Sequence, residues 1–294
     1  MNINDKIAVI GGDARMRYCA LYFGRAGFET AVYAEAPGSF GKDAPVTRAA
    51  SLEDALGGAD HIILGIPALP DGININTCGS SAVPADILLS GIRPEAAVAG
   101  GMIPDMFRSR AEKRGIKVID YGESEKLAIL NAVPTAEGAI AAAMKEMTKT
   151  LWKSRALVLG YGRVGSALGA RLKALGSDVT VAARRAVPLA KAEAEGFGRA
   201  DIYSLAPIIG GFDVIFNTVP AVVIGDEESA AVSRGTPIID LASKPGGVDI
   251  SSAEKYGLNV VSALSLPGKA APETAGELIA ETVADMLSDP NRHT

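Results

Sequence analysis

The feature that most constrains the fold is a glycine-rich turn between two apolar segments. Gly160, Gly162 and Gly165 follow the spacing G-x-G-x-x-G, directly after the apolar run 156–159. An amphipathic segment comes next, and a second apolar run covers 179–183. Strand, tight turn, helix and second strand in this order predict a β-α-β unit that binds a dinucleotide.

Each glycine of this turn has its own physical reason. Gly160 permits the tight turn, Gly162 lets the backbone approach a pyrophosphate, and Gly165 lets the helix pack close to the strand. The first helical turn, which contains Arg163 and Val164, is then expected to direct its backbone N–H groups towards the phosphates. The alternative is a glycine-rich turn in an α/β protein that binds no dinucleotide.

The end of the second apolar run selects between NAD and NADP. An NAD site usually has Asp or Glu about 20 residues after the first glycines, where it binds the ribose hydroxyls. This chain has Ala182 and Ala183 there, followed by Arg184 and Arg185. Because a planar guanidinium suits a ribose 2′-phosphate, we expect NADP, with NAD as the alternative. An ordinary solvated strand end would also explain both arginines.

Composition narrows the class of protein. A length of 294 residues predicts two domains, and a net charge of −5 argues against a nucleic-acid partner, which needs a basic face. Two cysteines, Cys19 and Cys78, are too few for a disulfide framework or a metal cluster, so we expect no metal and two buried thiols. Without a signal peptide or an apolar stretch of membrane-spanning length, a soluble cytoplasmic protein with no membrane partner is expected.

The order of strands and helices predicts an α/β fold with two Rossmann-like open parallel-sheet domains and a cleft between them. The first domain is expected to cover 1–130, and the dinucleotide-binding domain 131–270. Two crossing helices, at about 135–149 and 273–287, are expected to join the domains. The C-terminal segment 271–294 is expected to pack back onto the first domain.

Candidate residues also lie outside the glycine turn. Arg15 stands in the first turn of an N-terminal helix, where it would anchor a substrate carboxylate or be plain surface charge. Asn131 and Thr135 are expected to open the long helix, whose N-terminus would seat a carboxylate or be merely capped by them. His61 begins a strand, at the wrong edge for catalysis, and His293 lies in the tail.

Three later strands each deliver a polar or glycine-rich loop to one edge of the second sheet. In register with the glycine turn, these loops predict a nicotinamide pocket. Lys244, beside Ser243, is the candidate for a carboxylate anchor or proton donor, with a surface lysine as the alternative. The loop residues expected to meet coenzyme or substrate are Asn217, Thr218, Val219, Pro220, Ser243, Lys244, Leu266 and Pro267.

Seven segments of the chain resemble the A subunit of dipicolinate synthase, and together they extend over nearly its full length. The segments that carry the resemblance are 11–15, 131–138, 159–165, 179–184, 216–221, 239–249 and 266–276. The resemblance implies an oxidoreductase that uses NADP or NAD. Its reaction would oxidise a dihydrodipicolinate-type intermediate of the lysine pathway to pyridine-2,6-dicarboxylate.

The resemblance further implies, as partner, a flavoprotein-like B subunit. It also implies a small dicarboxylate as substrate and a place in the mother cell of a sporulating bacterium. A homo-oligomer is expected as well. The proton acceptor stays open among Glu137, Tyr121, Lys244 and bound water. Two other functions stay open: a shikimate- or 2-hydroxy-acid-type NADP dehydrogenase, or a nucleotide-binding subunit without catalysis of its own.

Overall fold

The computed structural model describes residues 1–34, 38, 40–77 and 82–288, and the chain in it divides into two compact units. One unit contains Met1–Asn131 and the segment that starts at Ala271, and the other contains Ala132–Ala270. Each unit is built around a six-stranded sheet whose strands all run parallel. The predicted α/β class and the two Rossmann-like parallel sheets are confirmed.

The first unit has the sheet order β3-β2-β1-β4-β7-β8, and β5 and β6 form a small antiparallel pair. Its elements are β1 (Lys6–Ile10), α1 (Ala14–Arg25), β2 (Glu29–Tyr33), β3 (Thr47–Arg48), α2 (Leu52–Leu56), β4 (His61–Leu64), β5 (Asn74–Ile75), β6 (Val83–Pro84), α3 (Ala85–Gly91), β7 (Ala97–Gly100), α4 (Asp105–Glu112) and β8 (Lys117–Asp120). A 3-10 turn, Tyr121–Glu123, then leads into α5 (Glu125–Glu146), which continues into the second unit.

The second unit repeats this topology, with the sheet order β11-β10-β9-β12-β13-β14. Its elements are β9 (Arg155–Leu159), α6 (Arg163–Ala174), β10 (Asp178–Ala183), α7 (Ala186–Ala194), β11 (Gly198–Asp201), α8 (Ala206–Ile209), β12 (Val214–Asn217), α9 (Asp226–Ala231), β13 (Pro237–Asp240), α10 (Ile250–Tyr256), β14 (Asn259–Ser262) and α11 (Leu266–Ala270). The last helix, α12 (Pro272–Ser288), belongs to the first unit. In both sheets the strand order reverses beside the first strand, which is where open α/β sheets bind ligands.

The long helix begins earlier than the sequence predicts. Because α5 starts at Glu125, Asn131 and Thr135 lie inside it, and the prediction that they form its N-terminus is wrong. Pro134 is also inside the helix, although a proline there cannot donate the usual backbone hydrogen bond. Tertiary packing outweighs that loss, since one face of the helix lies in the core of the second unit through Ala136, Ala139, Ile140 and Ala143.

The same helix bears on the expectation that no segment could span a membrane. Among the described residues, α5 is long and apolar enough to do so by length and composition. Buried core helices satisfy the same two criteria. In α5, 44% of the most apolar window is buried within the protein. Core packing accounts for the buried part of that window.

The C-terminal helix packs closely on α1 within the first unit. A Cβ atom at Gly276 would lie 2.2 Å from the carbonyl oxygen of Arg15, so glycine is needed for this approach. Ile279, Ala280 and Val283 are buried in the core beneath the two helices.

The remaining cysteine and histidine predictions concern the first unit. Cys19 is fully buried, as predicted, and its burial raises the pKa of the thiol. His61 begins β4, and its Nε2 lies 2.9 Å from the carboxylate of Asp5, at the amino edge of the sheet. Cys78 and His293 lie outside the described residues.

Candidate functional site

Four loops leave the second sheet at its carboxyl edge. Backbone hydrogen bonds join the ends of the neighbouring strands from which these loops start. The N–H of Gly160 donates to the carbonyl of Ala182 over 2.8 Å. On the other side of β9, the N–H of Leu241 donates to the carbonyl of Asn217 over 2.9 Å. The glycine turn and the loops after β12, β13 and β14 therefore share the edge at which open α/β sheets bind ligands.

The glycine turn is tightly packed at two positions and open at the third. Gly160 has a φ of +91°, and a Cβ there would lie 2.4 Å from Oγ1 of Thr218. A Cβ at Gly165 would lie 2.2 Å from the carbonyl oxygen of Gly160, so the helix approaches the strand end closely. Around Gly162 no heavy atom lies within 4 Å of the Cβ position. This open cradle fits a pyrophosphate.

The helix that follows the turn has no side-chain cap. Gly162 is the N-cap of α6, and the first turn of α6 contains no acidic residue. In the first unit, by contrast, Asp13 caps α1 by accepting from the N–H of Arg15, and the N–H of Gly12 donates to the carbonyl of Asn76 over 2.5 Å. Amide groups suited to a phosphate are thus presented by α6, whereas their counterparts near α1 already have partners.

Two arginines follow the end of β10. Arg184 and Arg185 are exposed, Arg185 is the N-cap of α7, and neither forms an ion pair with a described residue. A carboxylate that the sequence reasoning missed lies one strand away, because Asp201 is in register with Ala183. Its Oδ1 accepts the N–H of Tyr203 over 3.0 Å, so the carboxylate of Asp201 stabilises the turn that follows β11. The arginines are the groups at this strand end suited to bind an anion.

Asn217 shapes the loop after β12 and does not point out of it. Its Nδ2 donates to Oδ1 of Asp240 over 2.8 Å and to the carbonyl of Val219 over 3.0 Å, and its Oδ1 accepts the N–H of Val219. The side chain is fully buried. Contact with a coenzyme would therefore fall to Thr218, Val219 and Pro220.

Asp240 performs the same task for the loop after β13. Besides Asn217, its carboxylate accepts the N–H groups of Ala242 and Gly247 over 3.1 and 3.0 Å. The loop so fixed exposes Ser243 and Lys244. Sequence reasoning missed Asp240, although a lone carboxylate ending an apolar strand is a signal, because a buried charge must find donors.

The loop after β14 leads directly into a short helix. Leu266 and Pro267 begin α11, and both side chains are buried. A Cβ at Gly138 would lie 3.1 Å from Cβ of Leu266, so α11 packs directly on α5. Leu266 is part of the core of the second unit, and contact of these two residues with the coenzyme stays a prediction.

Two candidates of the first unit are already engaged. Nε and Nη2 of Arg15 each lie 2.8 Å from an oxygen of Asp13, and Nη2 donates to the carbonyl of Ile66 over 3.0 Å. The Tyr121 hydroxyl donates to the carbonyl of Leu64 over 2.8 Å. Burial raises the pKa of Tyr121 well above its ordinary value, so this phenol keeps its proton and is unsuited to accept another.

The structure thus brings most of the predicted residues to one edge. That edge carries Gly160, Gly162, Arg163, Val164, Gly165, Arg184, Arg185, Thr218, Val219, Pro220, Ser243 and Lys244. Arg15 lies in the other unit, and Asn131 and Thr135 lie inside α5. Within the described part of the chain, no group of three or more His, Cys, Asp or Glu side chains could hold a metal.

Two family models match the chain, one in each half. Residues 6–122 match the N-terminal domain of the dipicolinate synthase A subunit, and residues 130–239 match the NAD binding domain of D-isomer specific 2-hydroxyacid dehydrogenases. The second match, on the half that contains the glycine turn, supports a nicotinamide dinucleotide as cofactor and an oxidoreductase as the class of activity.

Individual relatives agree with the family models. The dipicolinate synthase A subunit of Bacillus subtilis (strain 168) is 34% identical over 173 residues, which span 59% of this chain and 58% of that protein. The crystal structure of the dipicolinate synthase A subunit from Bacillus halodurans aligns with a TM-score of 0.84 and 29% identity, over 97% of this chain and 98% of that one. The A chain from B. subtilis aligns with a TM-score of 0.83 and 28% identity, over 98% and 97%. Sequence and structure together confirm that this chain resembles the A subunits of dipicolinate synthase.

Proposed function

We propose that this chain is an NAD(P)-dependent oxidoreductase subunit that forms dipicolinate, pyridine-2,6-dicarboxylate, from a dihydrodipicolinate-type intermediate. One observation carries the proposal: a first half that matches the N-terminal domain of the dipicolinate synthase A subunit is joined to an NAD-binding half. An NAD-binding domain alone would fit many dehydrogenases, because the fold does not fix the substrate. The N-terminal match is what favours a pyridine dicarboxylate.

The carboxyl edge of the second sheet would hold the coenzyme. The open space at Gly162 and the uncapped start of α6 fit the pyrophosphate. Arg184 and Arg185 would bind a ribose 2′-phosphate, which favours NADP over NAD. When bound, the nicotinamide ring supplies a hydride acceptor.

The chain's own residues would hold and orient the substrate. Oxidation of the dihydropyridine ring removes one hydride and one proton, and aromatisation favours the product. Placing the ring correctly is therefore the main task of the protein. Lys244, exposed on a loop that Asp240 fixes, suits a substrate carboxylate as an anchor. We propose that Ser243 lies beside the same group.

The contacts of two side chains bear on the choice of proton acceptor. Tyr121 is buried, and its hydroxyl donates a hydrogen bond to a carbonyl. Glu137 is exposed on α5 and forms an ion pair with Arg171, with Nε 3.1 Å from Oε1. Lys244 could accept the proton only if another group anchored the carboxylate, so bound water is the acceptor that best fits the proposed anchor. Arg15 would reach a second substrate carboxylate only beside Asp13, which already holds its Nε and Nη2.

A 2-hydroxy-acid dehydrogenase is the second candidate, because the NAD-binding half matches that family's model. Such enzymes use a histidine base in the coenzyme-binding domain. Among the described residues of this chain, His61 cannot serve as that base, since it is in the first unit, at the amino edge of its sheet. A shikimate-type dehydrogenase and a nucleotide-binding subunit without activity have no observation in their favour.

The partner and the place of action follow from the same proposal. The relatives are named as A subunits, so a B subunit, flavoprotein-like, is the proposed partner. We further propose a homo-oligomer acting in the cytoplasm of the mother cell of a sporulating bacterium.

The decisive experiment combines the purified chain, the B subunit, NADP and freshly prepared dihydrodipicolinate. Growth of pyridine dicarboxylate absorbance together with reduced coenzyme would support the proposal. Parallel reactions lack the partner, or contain a 2-hydroxy acid in place of the dihydropyridine. Coenzyme binding without turnover in any mixture would favour a non-catalytic subunit, and turnover of the hydroxy acid alone would favour the second candidate.

A further inference from the structure

The central residue of the glycine turn points away from the coenzyme edge. Tyr161 is 7% exposed, and its ring meets that of Phe197 edge-to-face with centroids 5.9 Å apart. Its hydroxyl donates a hydrogen bond to the carboxylate of Glu195. Burial and the neighbouring carboxylate raise the pKa of the Tyr161 hydroxyl, so it remains a donor. The turn is thus tied to a second element by a side chain.

That second element is α7. Glu195 is its C-cap, and the carbonyl of Glu195 also accepts from Nζ of Lys173 on α6 over 2.6 Å. The other end of α7 starts at Arg185, its N-cap, directly after Arg184. One short helix therefore joins the arginine pair to the acceptor of the Tyr161 hydroxyl.

Few side chains of α7 are buried, and Pro188 and Leu189 are half-buried. Within this helix, which the structure describes in full, Ala192 is the single buried residue. The two contacts of Glu195, with Tyr161 and Lys173, connect its C-terminal end to the glycine turn and to α6. Rotation of a helix about one end displaces the other end, and here the other end is the one that carries the arginines.

We propose that Tyr161 and Glu195 are positioning residues that set α7 relative to the glycine turn and thereby set the preference for NADP over NAD. The inference rests on the proposed function, in which Arg184 and Arg185 bind the 2′-phosphate. NAD lacks that phosphate, so its proposed contacts with the glycine turn and with the loop after β12 do not involve the arginines. Loosening α7 should therefore weaken NADP more than NAD.

The test measures the Kd of both coenzymes for Tyr161→Phe, which keeps the ring in the core and removes the hydroxyl. The Kd for NADP should rise about threefold to tenfold, the usual effect of one lost hydrogen bond, and the Kd for NAD should rise less than about twofold. Glu195→Ala, at an exposed site, should act in the same way, whereas Glu195→Gln keeps an acceptor and should restore most of the preference. Because Glu195→Ala leaves the core untouched, it serves if Tyr161→Phe folds poorly.

Tyr256→Phe is the matched control. Tyr256 also donates to a carboxylate, Oδ2 of Asp226 over 3.2 Å, but on the exposed surface between α10 and α9. This variant should leave both constants unchanged. If the ratio of the Kd for NADP to the Kd for NAD is unaltered in Tyr161→Phe and Glu195→Ala, the inference is wrong, while the proposed function is unaffected. Failure of the wild-type chain to bind either coenzyme would overturn the proposed function as well.

Discussion

The side chain of Asn217 donates a hydrogen bond to the carboxylate of Asp240, with Nδ2 2.8 Å from Oδ1. These residues end neighbouring strands and are in register, so the bond joins the ends of β12 and β13. The same carboxylate accepts the N–H groups of Ala242 and Gly247. Two loops of the site, including the one that carries Lys244, are therefore shaped around one buried charge.

Replacing that charge should damage both stability and turnover. In Asp240→Asn one side-chain oxygen is replaced by an NH2 group, which cannot accept a hydrogen bond. A donor that faced this oxygen then loses its acceptor. An unsatisfied buried donor costs about 1–3 kcal/mol of unfolding free energy, measurable by urea denaturation. Asp249→Asn is the control, because Asn caps a helix about as well as Asp. A stable Asp240→Asn enzyme with normal turnover would contradict this role.

The arginine pair gives a prediction about coenzyme choice. Arg184→Ala with Arg185→Ala should weaken NADP by roughly 1–3 kcal/mol through loss of charge-assisted hydrogen bonds, and should weaken NAD much less. Coenzyme titrations followed by fluorescence or calorimetry would measure both affinities. Arg234→Ala, an exposed arginine just before β13 and thus at the other edge of the sheet, should change neither. Equal losses for NADP and NAD would remove the arginines from the 2′-phosphate.

Two glycines of the same turn should respond differently to alanine. Gly162 has open space at its Cβ position, so Gly162→Ala should fold normally but obstruct the pyrophosphate. At Gly165 a Cβ would lie 2.2 Å from a backbone oxygen, so Gly165→Ala should lower the melting temperature. Thermal melts and coenzyme titrations of both variants check this contrast. A destabilised Gly162→Ala, or a fully stable Gly165→Ala, would show that the turn is packed differently.

The sequence was informative where local spacing and backbone chemistry decide the outcome. A Cβ would clash at Gly160 and at Gly165, while Gly162 leaves open space for a phosphate. This spacing predicts strand, turn and helix, and β9, α6 and β10 form where expected. Pro134 led to a wrong prediction of where α5 begins, because a proline usually marks the first turn of a helix. The structure shows that Pro134 lies inside α5, where packing against the core stabilises the helix.

Partners distant in sequence could not be predicted. Asn217 and Asp240 are 23 residues apart, and their bond requires the register of two strands. The Tyr161–Glu195 bond spans 34 residues and depends on where α7 ends. Arg15 was recognisable as a charge near a strand end, but its bond to the carbonyl of Ile66, 51 residues away, became visible only in the structure.

Lys244 should matter for turnover and hardly for coenzyme binding. Its side chain is exposed on the loop that Asp240 fixes, so Lys244→Ala should fold normally and retain its affinity for NADP. Loss of a charge-assisted bond to the substrate should lower kcat/KM at least about tenfold. Lys269→Ala, an exposed lysine in α11, is the control and should keep wild-type kinetics. Normal kinetics in Lys244→Ala would place the substrate elsewhere.

Asp213 should make the stability of the protein depend on acidity. Burial by itself would raise the pKa of its carboxyl, but the ion pair with Lys149 (Nζ to Oδ1, 2.6 Å) and the N–H of Arg155 lower it below the ordinary value of 3.8. A group whose pKa is lowered by folding stabilises the folded state above the unfolded pKa, and this contribution disappears as the pH falls through the folded pKa.

Asp213→Asn should therefore be less stable than wild type at neutral pH, and the two urea unfolding curves should converge below about pH 4. Asp178→Asn, at the exposed start of β10, should follow the wild-type curve throughout. A constant difference between Asp213→Asn and wild type at every pH would mean that the Asp213 carboxylate gains nothing from Lys149.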